Sequence, residues 1–167
     1  MTRSRPLVVV TQTESRPVDM KTVYRHLGDL AEIRAIDHPF KPLEARDEDW
    51  LIEQLKDARA LFMRTGNLTK RVMDAMPNLG IIAVHGAGLD QVDVKAATER
   101  GVYITNAPGG NANAVAEYTF GLILALIRRI IRGDGLVRES RWNDAIFTGF
   151  ELQDKVIGIV GLGHIGE

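Results

Sequence analysis

Five short apolar runs punctuate the first two thirds of the chain, each rich in β-branched or large aliphatic residues. Residues 7–11, 32–36, 60–63, 81–84 and 102–105 read as strands. Between them the spacing changes to a helical period over 18–30, 47–56, 70–75 and 94–100. Punctuation supports several of these boundaries. Thr69 and Asp93 stand where N-caps belong, Pro77 follows the third helix, and Gly101 takes the position just past the fourth. Strand and helix in alternation predict a parallel sheet wrapped by helices, an α/β domain over 1–104.

After Thr105 the pattern changes. A loop rich in Gly, Pro and Asn (NAPGGNANA) feeds one long helix that ends near Gly133 or Gly135. Between Val115 and Ile127 apolar side chains cover most of its circumference, so it must pack in a core or at an interface. Residues 105–150 thus form a connecting stretch. Asp154 and Lys155 then lead into a last apolar β-branched run, 156–160, which reads as a strand.

Composition narrows the function classes without choosing among them. Of 167 residues, 45% are hydrophobic and 26% charged, ordinary for a globular protein, and the formal charge of −1 offers no electrostatic footprint for nucleic acid or an anionic membrane. The absence of cysteine excludes disulfides and thiolate metal sites. The most apolar stretch, 118–131, contains Arg128 and Arg129 and falls short of the roughly 20 residues that a bilayer span requires. The expectation is a cytoplasmic protein.

The last run opens directly into Gly161-Leu162-Gly163-His164-Ile165-Gly166, a complete G-x-G-x-x-G. Behind a strand, the first glycine permits a tight turn, the second lets backbone approach a pyrophosphate, and the third allows close helix packing. A competing reading, an unrelated glycine turn, loses ground because of that preceding strand. The motif also needs a following helix and an acid about 20 residues on, and neither is among these residues. No dinucleotide is therefore expected on this chain alone.

Two loops at the carboxyl ends of strands are candidates for a small ligand. Arg64, Thr65, Gly66 and Asn67 follow the third strand; His85, Gly86, Ala87 and Gly88 follow the fourth. Backbone amides at 86–88 could accept an anion, with Arg64 adding charge. Both loops are equally consistent with simple turns and a surface arginine. His26 and His38 read as surface residues, and His85 lacks an identifiable carboxylate partner that would tune it as an acid or base. No spacing resembles a metal site.

The stretches GAGLDQVDVKAATERGVYITNAPGGNANAVAEYTFGLILAL and RESRW…LQDKVIGIVGLGHIG are distinctive together. From about Ala60 to Gly166 the chain resembles the D-isomer-specific 2-hydroxyacid dehydrogenases, the group containing phosphoglycerate dehydrogenases and glyoxylate/hydroxypyruvate reductases. That resemblance implies a flavodoxin-like substrate domain, a long helix that builds a homodimer around 114–131, and the first strand of a Rossmann domain over 151–167. It implies substrate contacts from Arg64, Thr65, Gly86, Ala87, Gly88 and Asn111, and an NAD or NADP site that includes Gly161, Gly163, His164, Ile165 and Gly166. The substrate would be a small 2-oxo or 2-hydroxy acid. Ala114 stands where the family often has Ser, which leaves Asn113 to cap the long helix. The family's catalytic Arg, Glu and His fall after the glycine motif, so no catalytic residue is expected within these 167 residues, and the chain is expected to be the front part of a longer enzyme, inactive alone. A non-catalytic module that binds a carboxylate or a partner protein is the alternative; a nucleotide-binding regulator rests on the glycine motif alone.

Overall fold

The computed structural model describes residues 4–38, 41, 43–144 and 148–167, so 145–147 of the expected connecting stretch lie outside the described residues. The chain divides into two units, one running through Gly110 and the other from Asn111 to Glu167.

The first unit is a five-stranded sheet formed by β1 (Leu7–Gln12), β2 (Glu32–Asp37), β3 (Ala60–Met63), β4 (Ile81–Val84) and β5 (Tyr103–Thr105). The strand order is β2-β1-β3-β4-β5 and every pairing is parallel. β1 is an uninterrupted apolar run because both its faces are covered, and Val9 and Val10 are completely buried. Alternate residues of the inner strands, among them Val9, Leu61, Met63 and Ile82, share one core with Leu51, Leu55, Val72, Met73, Ala96 and Ala97. Those partners come from α2 (Ala45–Leu55), α3 (Lys70–Asp74) and α4 (Val94–Glu99). Each fully buried Leu, Val or Met in that layer is worth about 1.5–3 kcal/mol of transfer free energy.

Local chemistry sets the helix limits. α1 (Met20–Leu27) is shorter than the expected 18–30, because Asp19 caps it by accepting from the Lys21 amide at 3.1 Å and Gly28 ends it. α2 starts two residues before the expected position, where the Asp47 carboxylate accepts from the Glu44 amide at 3.1 Å. Thr69 accepts from Val72 N–H at 3.4 Å and Asp93 from Ala96 N–H at 2.9 Å, as their positions predict. Gly101, at φ +66°, adopts the left-handed conformation that follows a helix end.

In the second unit the expected single helix is two. α5 (Ala112–Ile127) and α6 (Ile130–Arg138) are separated by Arg129, which is left-handed at φ 55° and ψ 36°. The break is stabilised where the Phe150 amide donates to the Ile127 carbonyl at 2.9 Å, an acceptor that a continuous helix would have used internally. Asn113 does not cap α5 as expected. It lies inside the helix, and Asn111 occupies the N-cap position without a side-chain bond. Of the α5 side chains only Ala112 is buried; Tyr118, Phe120, Leu122, Leu124 and Leu126 are exposed.

The strand expected over 156–160 is not formed. No neighbouring strand pairs with it among the described residues, and Val156 and Val160 are fully exposed. An apolar run becomes a strand only when a ladder partner satisfies its backbone, and none does so among the described residues.

Candidate functional site

The strand order reverses direction between β1 and β3, and in open parallel sheets the crevice beyond the carboxyl ends at such a reversal is where ligands sit. Thr11, near the end of β1, bridges that point. Its buried hydroxyl donates to the Thr65 carbonyl at 2.6 Å, while its own carbonyl accepts from the Arg64 amide at 3.1 Å. The turn after β3 is thereby fixed to β1 at its first two residues. Thr65 is completely buried, and its Oγ1 has no hydrogen-bond partner among the described residues, nor has the buried Nε of Arg64. Unused polar capacity of this kind costs about 1–3 kcal/mol per group when nothing satisfies it.

The second loop lies alongside. Arg64 Nη1 approaches the His85 carbonyl at 3.4 Å, which joins the turns after β3 and β4. The Gly86 carbonyl accepts from Ala107 N–H at 2.9 Å and the Ala87 carbonyl from Asn106 Nδ2 at 2.7 Å. With its carbonyls engaged behind it, the loop leaves the amides of Gly86, Ala87 and Gly88 without acceptors among the described residues. A Cβ at Gly88 would stand 3.1 Å from Asp90 Oδ2, so one carboxylate already sits beside the glycine loop. The His85 ring is exposed and meets Phe62 edge-on at 5.7 Å, and no acidic partner orients it.

The structure thus brings Arg64, Thr65, Gly86, Ala87 and Gly88 together at one end of the sheet. Asn111 belongs to the second unit, as the residue preceding α5. The expectation that His38 lies on the surface is wrong: it is 2% exposed. Its Nε2 lies against the Asn67 backbone, 2.9 Å from the oxygen and 3.1 Å from the nitrogen. Burial pushes its imidazole below the ordinary histidine range, opposed by the Asn67 backbone. One sequence signal pointed to it: the residue directly follows β2, on the same carboxyl edge as the other loops.

The glycine motif forms a tight turn. Gly161 is at φ +95°, and a Cβ at Gly166 would come within 2.4 Å of the Gly161 carbonyl oxygen, so both positions require glycine. The Gly166 amide donates to the Gly163 carbonyl at 2.9 Å. Residues 156–160 before the turn form no strand among the described residues, so the sheet edge that normally leads into such a motif is not formed here. Among the described residues, no group of three or more His, Asp or Glu could hold a metal ion, and no helix is long and apolar enough to cross a membrane.

Comparison with known proteins adds the following. A model of the D-isomer specific 2-hydroxyacid dehydrogenase catalytic domain matches residues 8–160. The chain is 39% identical over 168 residues to a glyoxylate reductase of Thermofilum pendens, covering 98% of this chain and 47% of that protein. It is 42% identical over 142 residues to a D-3-phosphoglycerate dehydrogenase of Mycobacterium bovis, covering 84% of this chain and 26% of that one. Among solved structures, the NADPH-dependent glyoxylate/hydroxypyruvate reductase of Sinorhizobium meliloti, in complex with NADP and malonate, superposes with a TM-score of 0.74 at 30% identity, covering 98% of this chain and 48% of that one. The NAD+-bound 3-phosphoglycerate dehydrogenase of Entamoeba histolytica gives 0.69 at 26%, over 98% and 48%. The chain therefore spans about half or less of the length of these relatives.

Proposed function

Because the chain belongs to the D-isomer-specific 2-hydroxyacid dehydrogenase family, we propose that it supplies the substrate-side wall of an enzyme moving a hydride between a nicotinamide cofactor and the 2-oxo or 2-hydroxy carbon of a small acid. The observation that carries this reading is the meeting of two loops at the sheet reversal: Arg64 reaches the His85 carbonyl beside three amides that lack acceptors among the described residues. A substrate carboxylate would take those amides as donors and the remaining guanidinium N–H groups as a charged clamp, with Thr65 on the same wall. The S. meliloti relative, solved with NADP and malonate, supports a small carboxylate as the ligand class.

Asn111 is assigned to the substrate side, and Gly161, Gly163, His164, Ile165 and Gly166 to a pyrophosphate turn that needs more structure than these residues build. Either NAD or NADP is compatible with the relatives. The 167 residues by themselves are assigned no reductase activity, because the Arg expected to hold the carboxylate and carbonyl, the His expected to protonate the oxygen and the Glu expected to orient it are not among them. The exposed apolar surface of α5 is assigned to a homodimer. A cytoplasmic site of action fits a cysteine-free chain of this chemistry.

The test is amide NMR of the chain titrated with glyoxylate. Shifts should cluster at 64–67 and 85–89, with a Kd in the millimolar range, about −4 kcal/mol. Acetate at matched ionic strength should perturb them less, and Arg64→Ala and Gly88→Val should each weaken the response. Shifts scattered over the surface, or variants without effect, would remove the carboxylate assignment and favour a module that binds something else.

A further inference from the structure

The turn that carries Arg64 and Thr65 is held at its far end by a histidine from another strand. His38 directly follows β2, and its amide donates to the Gln12 carbonyl at 3.0 Å, extending the β1–β2 ladder, so the sheet itself places this residue. Its ring fills the space beside Gly66, where a Cβ would stand 1.9 Å from the ring Cδ2. Gly66 is at φ +88°, a conformation that favours glycine for a second reason. The Asn67 side chain donates to the Lys41 carbonyl at 2.7 Å, closing the same corner.

Nε2 lies within hydrogen-bond distance of both the amide and the carbonyl of Asn67, and it cannot serve both at once. In the neutral ring with its proton on Nδ1, Nε2 accepts from the Asn67 N–H. In the imidazolium both nitrogens carry protons, so Nε2 donates to the Asn67 carbonyl and leaves that amide without an acceptor. The two states therefore favour different settings of this backbone, and the glycine just before it has the rotational freedom to follow. The charged groups facing the ring among the described residues are Asp37 from β2, Lys41 from the loop after it, and Asp47 from α2. Burial, helped by Lys41, outweighs the Asn67 backbone and the two carboxylates and holds the ring's pKa below the ordinary histidine value, so it is neutral near pH 7.

We propose that His38 is a positioning residue for carboxylate capture: as a neutral ring it sets the 66–67 backbone, and through it the pose of Arg64 and Thr65, so that protonating it weakens anion binding at this loop. The inference rests on the carboxylate reading given above. Its first readout needs no ligand. In the free chain, carrying His85→Gln so that His38 is the histidine nearest this loop, the amide signals of 64–68 should follow the protonation curve of the His38 ring. The second readout is glyoxylate affinity, which should fall at least threefold as the ring protonates. His38→Phe keeps the packing against Gly66 but loses the bond to Asn67; it should bind about tenfold more weakly at pH 7.5, with no pH dependence across the wild-type transition. His38→Gln, whose amide reaches the same backbone, should recover most of that loss and also be flat with pH.

Loop signals that ignore the ring's protonation overturn the proposal. So does an affinity that rises on acidification, as simple added positive charge would produce, or a Phe variant that binds like wild type. If glyoxylate binds nowhere near 64–67 while the loop signals still follow the ring, the carboxylate reading fails and His38 remains as a switch of the turn alone.

Discussion

Gly66 and His38 form a matched pair, and each residue is intelligible only through the other. The ring occupies the volume of a missing Cβ, and the left-handed backbone at Gly66 makes the same demand independently. Gly66→Ala should therefore cost about 3 kcal/mol, the sum of backbone strain and overpacking. Urea denaturation followed by circular dichroism measures it, and an unchanged midpoint would show that the turn has another conformation open to it. The same ring makes stability depend on pH. Its folded pKa is lowered, so between that value and the ordinary histidine value the unfolded chain binds more protons than the native one. Stability should accordingly be complete above about pH 6.5 and decline as pH falls through the lowered value. The carboxylates of Asp19, Asp47 and Asp74 are also lowered, by hydrogen bonds from Thr22, Lys41 and Lys70 respectively, but their contributions are lost only at more acidic pH. Melting temperatures of wild type and His38→Phe across pH 5 to 7.5 separate the two regimes, and the variant should be flat where wild type slopes.

At the scale of the element, α5 raises a question that its own unit does not answer. Leu122, Leu124 and Leu126 are exposed on a helix that carries no charge from Tyr118 to its end at Ile127. Leu122→Asp should convert a dimer to a monomer, or precipitate the protein, in sedimentation experiments; wild type that stays monomeric at high micromolar concentration would count against the assigned interface. The strands of the sheet were legible to within a residue; β1, covered on both faces, is written as a continuous apolar run, and the others as short runs of β-branched or large aliphatic residues between turn signals. Thr69 and Asp93 were legible as caps because capping is local chemistry. The break at Arg129 was not, since arginine carries no signal for the left-handed region and the Phe150 amide that stabilises the break arrives from 23 residues away. Arg64, Thr65 and the glycines after β4 could be found from their place at strand ends. His38 stands at a strand end as well, but its burial was not legible, because it depends on meeting a turn 29 residues on, and burial of a polar ring leaves no trace in a hydropathy pattern.

Across the whole molecule, apolar surface is distributed unevenly. The first unit encloses most of its own around the sheet, whereas the second displays it on α5, on α6 at Ile130 and Ile131, and along 156–160. The last of these has a consequence for handling the protein in concentrated solution. Residues 156–160 form an exposed, uncharged, proline-free run of high β-propensity that pairs with no strand among the described residues. Short segments with that composition stack in register as steric zippers, and the adjacent, oppositely charged Asp154 and Lys155 on one flank are a weak gatekeeper against it. Quiescent incubation should yield thioflavin-positive fibrils with a concentration-dependent lag, and Ile157→Lys with Ile159→Lys should abolish them while leaving the circular dichroism of the sheet unchanged. The run expected from its sequence to be a strand before the glycine turn is thus the segment predicted to seed these fibrils.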